Sequence, residues 1–238
     1  MIARGRMIGW FAAAGALAVP ATAFAAPTAN ATSEAVRIAI VLAVLAIIPA
    51  ILISMTSFVR IVIVLAMVRH AFGMPQTPPN AVLTSLALFM TAFIMAPTFG
   101  AINESALQPF LEGQADIGEL MKSGGAPLRE FMLAHTRDSD LEAIYAISNT
   151  PLPATAEDVD LLKLTPAFML NELRVAFTIG FVVLLPFLLI DLVVASILLS
   201  LGMMMVPPAT ISLPIKVLMF VLIDGWSLVM EGLLGSFG

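Results

Sequence analysis

Four ionisable residues, Glu172, Asp191, Lys216 and Asp224, lie in or at the edges of stretches otherwise built from Leu, Val, Ile, Phe and Ala. In lipid a charge at such a position costs about 2.5 to 3.5 kcal/mol, so it is paired or turned toward a polar interior. Lys216 is the only basic residue after Arg174. Its partner is either Glu172 or Asp191, in an ion pair that fixes a helix-to-helix or subunit-to-subunit register; Asp191 alone would alternatively serve as a proton relay. The plainer alternative puts Glu172, Asp224 and Glu231 at helix ends in interfacial water.

The string Gly202-Met203-Met204-Met205-Val206-Pro207-Pro208 is as unusual. Two consecutive prolines stop a helix and glycine lets the chain turn, so three methionines are displayed between two apolar helices and not along a helix face. With three rotatable bonds and a polarizable sulfur, methionine fills an irregular gap, deforms and refills it. A ring of such turns around a symmetry axis would form a compressible seal; otherwise the methionines are simply hydrophobes at a membrane surface.

Other chemistries have little to work with. Cys is absent and His70 and His135 are the only histidines, so disulfides and thiolate ligands are excluded and any metal would rest on carboxylates. His70 reads as a loop cation and His135 as a surface residue. No H-E-x-x-H or G-x-S-x-G occurs. No catalytic residue, metal or cofactor is expected, and the protein is read as a non-enzyme. The 11 Lys+Arg and 16 Asp+Glu form no basic cluster, so nucleic acid is not an expected partner.

The elements that carry these residues follow from composition. Of 238 residues 60% are hydrophobic and 11% charged, against about 25% charged in a soluble domain, which excludes an ordinary water-soluble enzyme. Residues 1–25 read as a signal peptide, with Arg4 and Arg6 before an apolar run from Met7 to Val19 and Ala23-Phe24-Ala25 as the cleavage site. Residues 26–99 hold two apolar stretches, Ile38 to Val59 (broken by Pro49) and Ala81 to Phe99, expected as a hairpin. Arg60, Arg69 and His70 flank the intervening connection and assign it to the cytoplasmic side. Residues 100–165 hold 11 of the 16 acids and four Lys or Arg. They are expected as a water-exposed periplasmic segment of short helices broken at Ser123-Gly124-Gly125 and Pro151-Leu152-Pro153. Residues 166–238 form a second hairpin, Val175 to Leu201 and Ala209 to Leu234, around the methionine turn.

Several strings carry a family resemblance. They are Pro166-Ala-Phe-Met-Leu-Asn-Glu172-Leu-Arg174-Val-Ala-Phe177-Thr-Ile-Gly180-Phe181, Leu185-Pro186-Phe187 through Asp191 to Ser196, Leu201 to Pro208 continuing to Pro214-Ile-Lys216, and Asp224-Gly225-Trp226. Looser matches run through Thr56 to Ile61 and Pro75 to Asn80, and a thinner one through Pro127 to Met132. Together they closely resemble the FliP family of type III export-gate proteins.

The resemblance implies an all-α fold of integral membrane-type helical hairpins that assemble into an oligomeric export-gate channel. A homopentamer joined by FliQ and FliR is implied, with FlhB and FlhA of the export apparatus as further partners and unfolded polypeptides, including flagellar rod, hook and filament proteins, as cargo. It implies a place in the bacterial inner membrane, at the flagellar basal body, with the bulk on the periplasmic side. Met203, Met204 and Met205 would be the pore gasket, Gly202, Pro207 and Pro208 would shape its loop, and Glu172 with Lys216 would pair between subunits. Asp191 and Asp224 would be further buried charges. Asn171 departs from the Thr or Ser more usual in the family, and Thr178 from a longer polar residue. Val206-Pro207-Pro208 and the signal peptide favour the flagellar branch over the virulence branch. A small-solute transporter, which also uses broken helices and midplane charges, is the alternative from another class.

Overall fold

The computed structural model describes Ala39, Leu42 and residues 46–74 and 76–238; the expected signal peptide, residues 1–25, lies outside the described residues. From Ala46 onward the described chain is helical and contains no strand. Its elements are α1 (Ala46–Ser54), α2 (Phe58–Ala71), α3 (Asn80–Ile94), α4 (Ala96–Leu111), α5 (Ile117–Ala134), α6 (Asp138–Ile147), α7 (Leu161–Ser200), α8 (Pro208–Leu222) and α9 (Gly225–Gly235). A π-helical turn, Asn103–Leu107, lies within α4.

Local chemistry sets most of the boundaries. Asp116 caps α5 by accepting from the Glu119 amide at 2.8 Å, and Asp160 caps α7 by accepting from the Leu162 amide at 3.0 Å, each satisfying a donor that a helix start leaves free. Pro208 opens α8, where its missing N–H is no loss. At the end of α7, Gly202 takes φ +75°, and the amides of Gly202 and Met203 donate to Leu199 and Leu198 in a Schellman closure.

Three of the four apolar stretches are bent pairs of helices and not straight spans: α1 with α2 (66°), α3 with α4 (62°) and α8 with α9 (65°). The first stretch therefore does not end at Val59. It breaks at Met55-Thr56-Ser57 and continues through Arg60 to Ala71, so Arg60 is a helical residue, and the connection to α3 is Phe72–Pro79. The expected break at Ser123-Gly124-Gly125 is also absent, because these residues lie inside α5. Cβ atoms there would stand 3.5 Å from Ala106 and 3.0 Å from Leu161, so the glycines permit close packing that outweighs their poor helix propensity of about 1 kcal/mol each.

The helix α7 organises the rest. Its 40 residues span about 60 Å, roughly twice the hydrocarbon thickness of a bilayer. Near its start Leu164, Ala167 and Phe168 pack with Met132 of α5, Leu141 and Tyr145 of α6 and Val159. Further along, Ala176 and Phe187 join Ile61, Val64, Leu65 and Val68 of α2, with Phe72, Phe220 and Leu233. Each such side chain contributes about 1.5–3 kcal/mol by leaving water. The acidic segment thus covers one end of α7 and the apolar hairpins cover the other. In the most apolar window of α7 only 17% is buried, leaving Phe177, Phe181, Leu185, Leu189 and Leu192 exposed. A hydrophobic surface of that extent marks contact with lipid or protein.

One ion pair fastens the acidic segment to α7. Arg174 donates to both carboxylate oxygens of buried Asp140, at 2.5 and 2.8 Å. That hydrogen bonding holds the Asp140 carboxyl below its ordinary 3.8. Because the folded-state value is the lower one, the stabilisation is present above the unfolded value and is lost as pH falls through the folded one. Asp140→Asn should therefore lower the melting temperature of the detergent-purified protein at pH 6, and the deficit should shrink progressively below about pH 4. A deficit equally large at pH 3 would argue that the pair is not what is lost.

Candidate functional site

The methionine turn joins α7 to α8. Val206 is half-buried, whereas Met203, Met204 and Met205 are 42%, 80% and 96% exposed. The Gly202 closure behind and Pro207-Pro208 ahead fix the backbone on both sides. The three thioethers therefore project from a stiff base into space that no other described part of the chain fills.

Below the turn the hairpin carries its own ion pair. Lys216, on α8, is buried and donates to Asp191 of α7 at 2.6 Å. Of the two partners open to Lys216 from sequence, the chain uses Asp191. The Asp191 side chain is 41% exposed, and a cavity of 430 Å³, lined by His70, Pro208 and Ser212, opens beside the pair. The pair tethers α8 to α7 below the turn.

Glu172 is held elsewhere. It has no exposed surface, and both of its carboxylate oxygens accept from Arg60: from Nε at 2.8 Å and from Nη2. Arg60 is 2% exposed. Its Nη1 donates to the Ser236 carbonyl oxygen at 2.7 Å and to Ser236 Oγ at 3.0 Å, and its guanidinium carbon lies 3.7 Å from the Phe237 ring centroid. Planar bidentate pairing and ring stacking are properties of arginine that lysine does not share. Phe237 in turn lies 5.5 Å from the His135 ring, and Asn171 Nδ2 donates to the His135 carbonyl at 2.6 Å. One buried cation thereby ties together α2, α7, the end of α5 and the residues after α9.

The structure arranges the expected residues differently in four respects. Glu172 and Lys216, expected as an inter-subunit pair, each meet a different partner within one chain: Arg60 at the Glu172 carboxylate, and Asp191 of the adjacent helix at Lys216. Asp224, expected as a buried charge, is exposed at the α8–α9 break, with φ +50°; the left-handed region is one that Asp tolerates better than most residues. Asp191 is half-exposed, not buried. His135, expected at the surface, is half-buried against Phe131 and Phe237.

Arg60, Ser236 and Phe237 were not candidates from sequence. The signal for Arg60 was present: Arg60, Val64 and Val68 recur at i, i+4 and i+8 and so share the buried face of α2. No comparable pattern points to Ser236 or Phe237.

Bent apolar hairpins packed along one long helix, with each buried charge among the described residues matched inside the chain, define an all-helical membrane protein. Residues 41–233 match the FliP family. The flagellar biosynthetic protein FliP of Caulobacter vibrioides is 45% identical over 242 residues, covering 98% of this chain and 91% of that protein. The Bacillus subtilis protein of the same name is 48% identical over 205 residues (86% and 93% covered), and that of Aquifex aeolicus 46% over 206 residues (86% of each). The chain therefore belongs to the FliP family, whose members named here are flagellar biosynthetic proteins.

Proposed function

We propose that this chain is a core channel subunit of the flagellar protein export gate in the bacterial inner membrane. Several copies form a ring with FliQ and FliR, FlhB and FlhA adjoin it, and unfolded flagellar rod, hook and filament proteins pass through. The observation that carries this reading is the methionine turn: three flexible, apolar side chains with 42%, 80% and 96% of their surface free, held on a base fixed by Gly202, Pro207 and Pro208. Side chains of that kind, brought together from several copies, would fill a lumen at rest and yield to a passing chain. The large bare face of α7 supports assembly, since the described residues of a single copy leave it uncovered. The role is mechanical and requires no chemistry of the chain. Membership of the family, with relatives named for flagellar biosynthesis, supports the flagellar branch over virulence secretion and over solute transport.

Native mass spectrometry of the detergent-purified protein, expressed alone and with FliQ and FliR, tests the proposal. The expected species is a ring of several copies that binds both partners, with mature chains beginning at Ala26. A stable monomer indifferent to FliQ and FliR would overturn it.

A further inference from the structure

The methionine turn sits at one end of α8, and the other end of α8 is an elbow. Between Leu222 and Gly225 the helix axis turns by 65°. Asp224 supplies the turn with a left-handed φ of +50°. Gly225 is buried directly against the Phe220 ring, where an added Cβ would come within 2.7 Å of Phe220 Cγ and closer still to the ring edge. Phe220 is itself pinned edge-on between Phe72, at 4.6 Å, and Trp226, at 5.4 Å.

The two arms of this elbow are held very differently. Beyond α9, the Ser236 carbonyl, Ser236 Oγ and the Phe237 ring are gripped by Arg60, which is itself locked to fully buried Glu172. Breaking that contact would leave the buried Arg60 Nη1 without an acceptor. The α8 arm is tied to α7 by one hydrogen-bonded pair, Lys216 and Asp191, in which the carboxylate is 41% exposed. The end of α9 is thus held by more, and more deeply enclosed, polar contacts than the α8 arm.

We propose that Ile223–Gly225 is the elbow on which α8 and the methionine turn swing, that the Phe220 ring seated on Gly225 locks its resting angle, and that Arg60 holds α9 as the fixed arm. The movement of the turn rests on the gate reading above; the elbow itself does not.

Because the chain has no Cys, cysteines introduced at exposed Leu218 and Leu228 label the two arms uniquely. Electron–electron double resonance on the full chain in detergent, diluted with unlabelled copies to keep each spin pair within one chain, reads the angle directly. The expected result is one narrow distance in the parent protein. Phe220→Ala and Asp224→Gly should each broaden it, the first by removing the lock and the second by freeing the left-handed position. Gly225→Ala should displace the mean, and combining it with Phe220→Ala should abolish the displacement because the overlap is gone. Phe237→Ala should leave the Leu218–Leu228 distance unchanged while broadening a distance from Leu228 to exposed Val82 on α3.

If Gly225→Ala does not accumulate, the Phe220 and Asp224 variants decide alone. A distribution that stays narrow in both overturns the elbow, even if removing the methionines makes the membrane leak. Broadening without any leak supports the elbow and counts against the gasket instead.

Discussion

Glu172→Leu should leave a protein that scarcely accumulates, whereas the double change Arg60→Leu with Glu172→Leu should restore it. The single change strands the Arg60 guanidinium, 2% exposed, without its carboxylate, a loss of about 3–5 kcal/mol, which is much of the total stability of a typical domain. The double change removes both charges, and replacing a buried pair by apolar side chains is often neutral or stabilising. Resistance to limited proteolysis and the melting temperature in detergent read the outcome. A second exchange separates the possible partners of Glu172: if it paired with Lys216, Lys216→Glu combined with Glu172→Lys would rescue. The structure calls for no rescue there, because Lys216→Glu would face Asp191 as a like charge.

The second large effect is functional. Replacing Met203, Met204 and Met205 together by Ala should leave assembly intact, since their side chains contribute little to the packing of the chain and the Gly202 closure and Pro208 start remain. The membrane should then conduct small ions that the parent protein excludes, measured as growth sensitivity to external ions and as conductance in planar bilayers. Substitution by three Leu should leak less than three Ala, because apolar bulk is retained, but should seal less completely than Met, because the branched side chain conforms less readily. Unchanged membrane integrity with three Ala would remove the gasket role.

Much of this was legible in the residues. The methionine turn was readable because its determinants are local: glycine, two prolines and three identical side chains within seven positions. The apolar stretches were readable as helices for the same reason, but their bends were not. The break at Met55-Thr56-Ser57 carries no proline or glycine, and Thr56 Oγ1 there turns back to the Leu52 carbonyl. At Ser123-Gly124-Gly125 the local signal pointed to a break and the neighbouring α4 and α7 decided otherwise. Arg60 reads from sequence as a flank of the connection after the first apolar stretch, because a cation next to an apolar run ordinarily marks its end. Its partners lie 112 and 176 positions away, beyond the reach of periodicity or spacing.

Those separations also bear on how the chain is made. Arg60 emerges from the ribosome long before Glu172, and Ser236 follows later still. During synthesis the α2 segment must therefore wait with an unmatched cation beside an apolar surface, a state costing about 2.5 to 3.5 kcal/mol if it rests in lipid. The early hairpin has reason to linger at the interface or under the care of the insertion machinery until α7 arrives, and closing so distant a contact is slow. The Arg60 site is thus completed late, only when the residues after α9 settle over a cation made long before them.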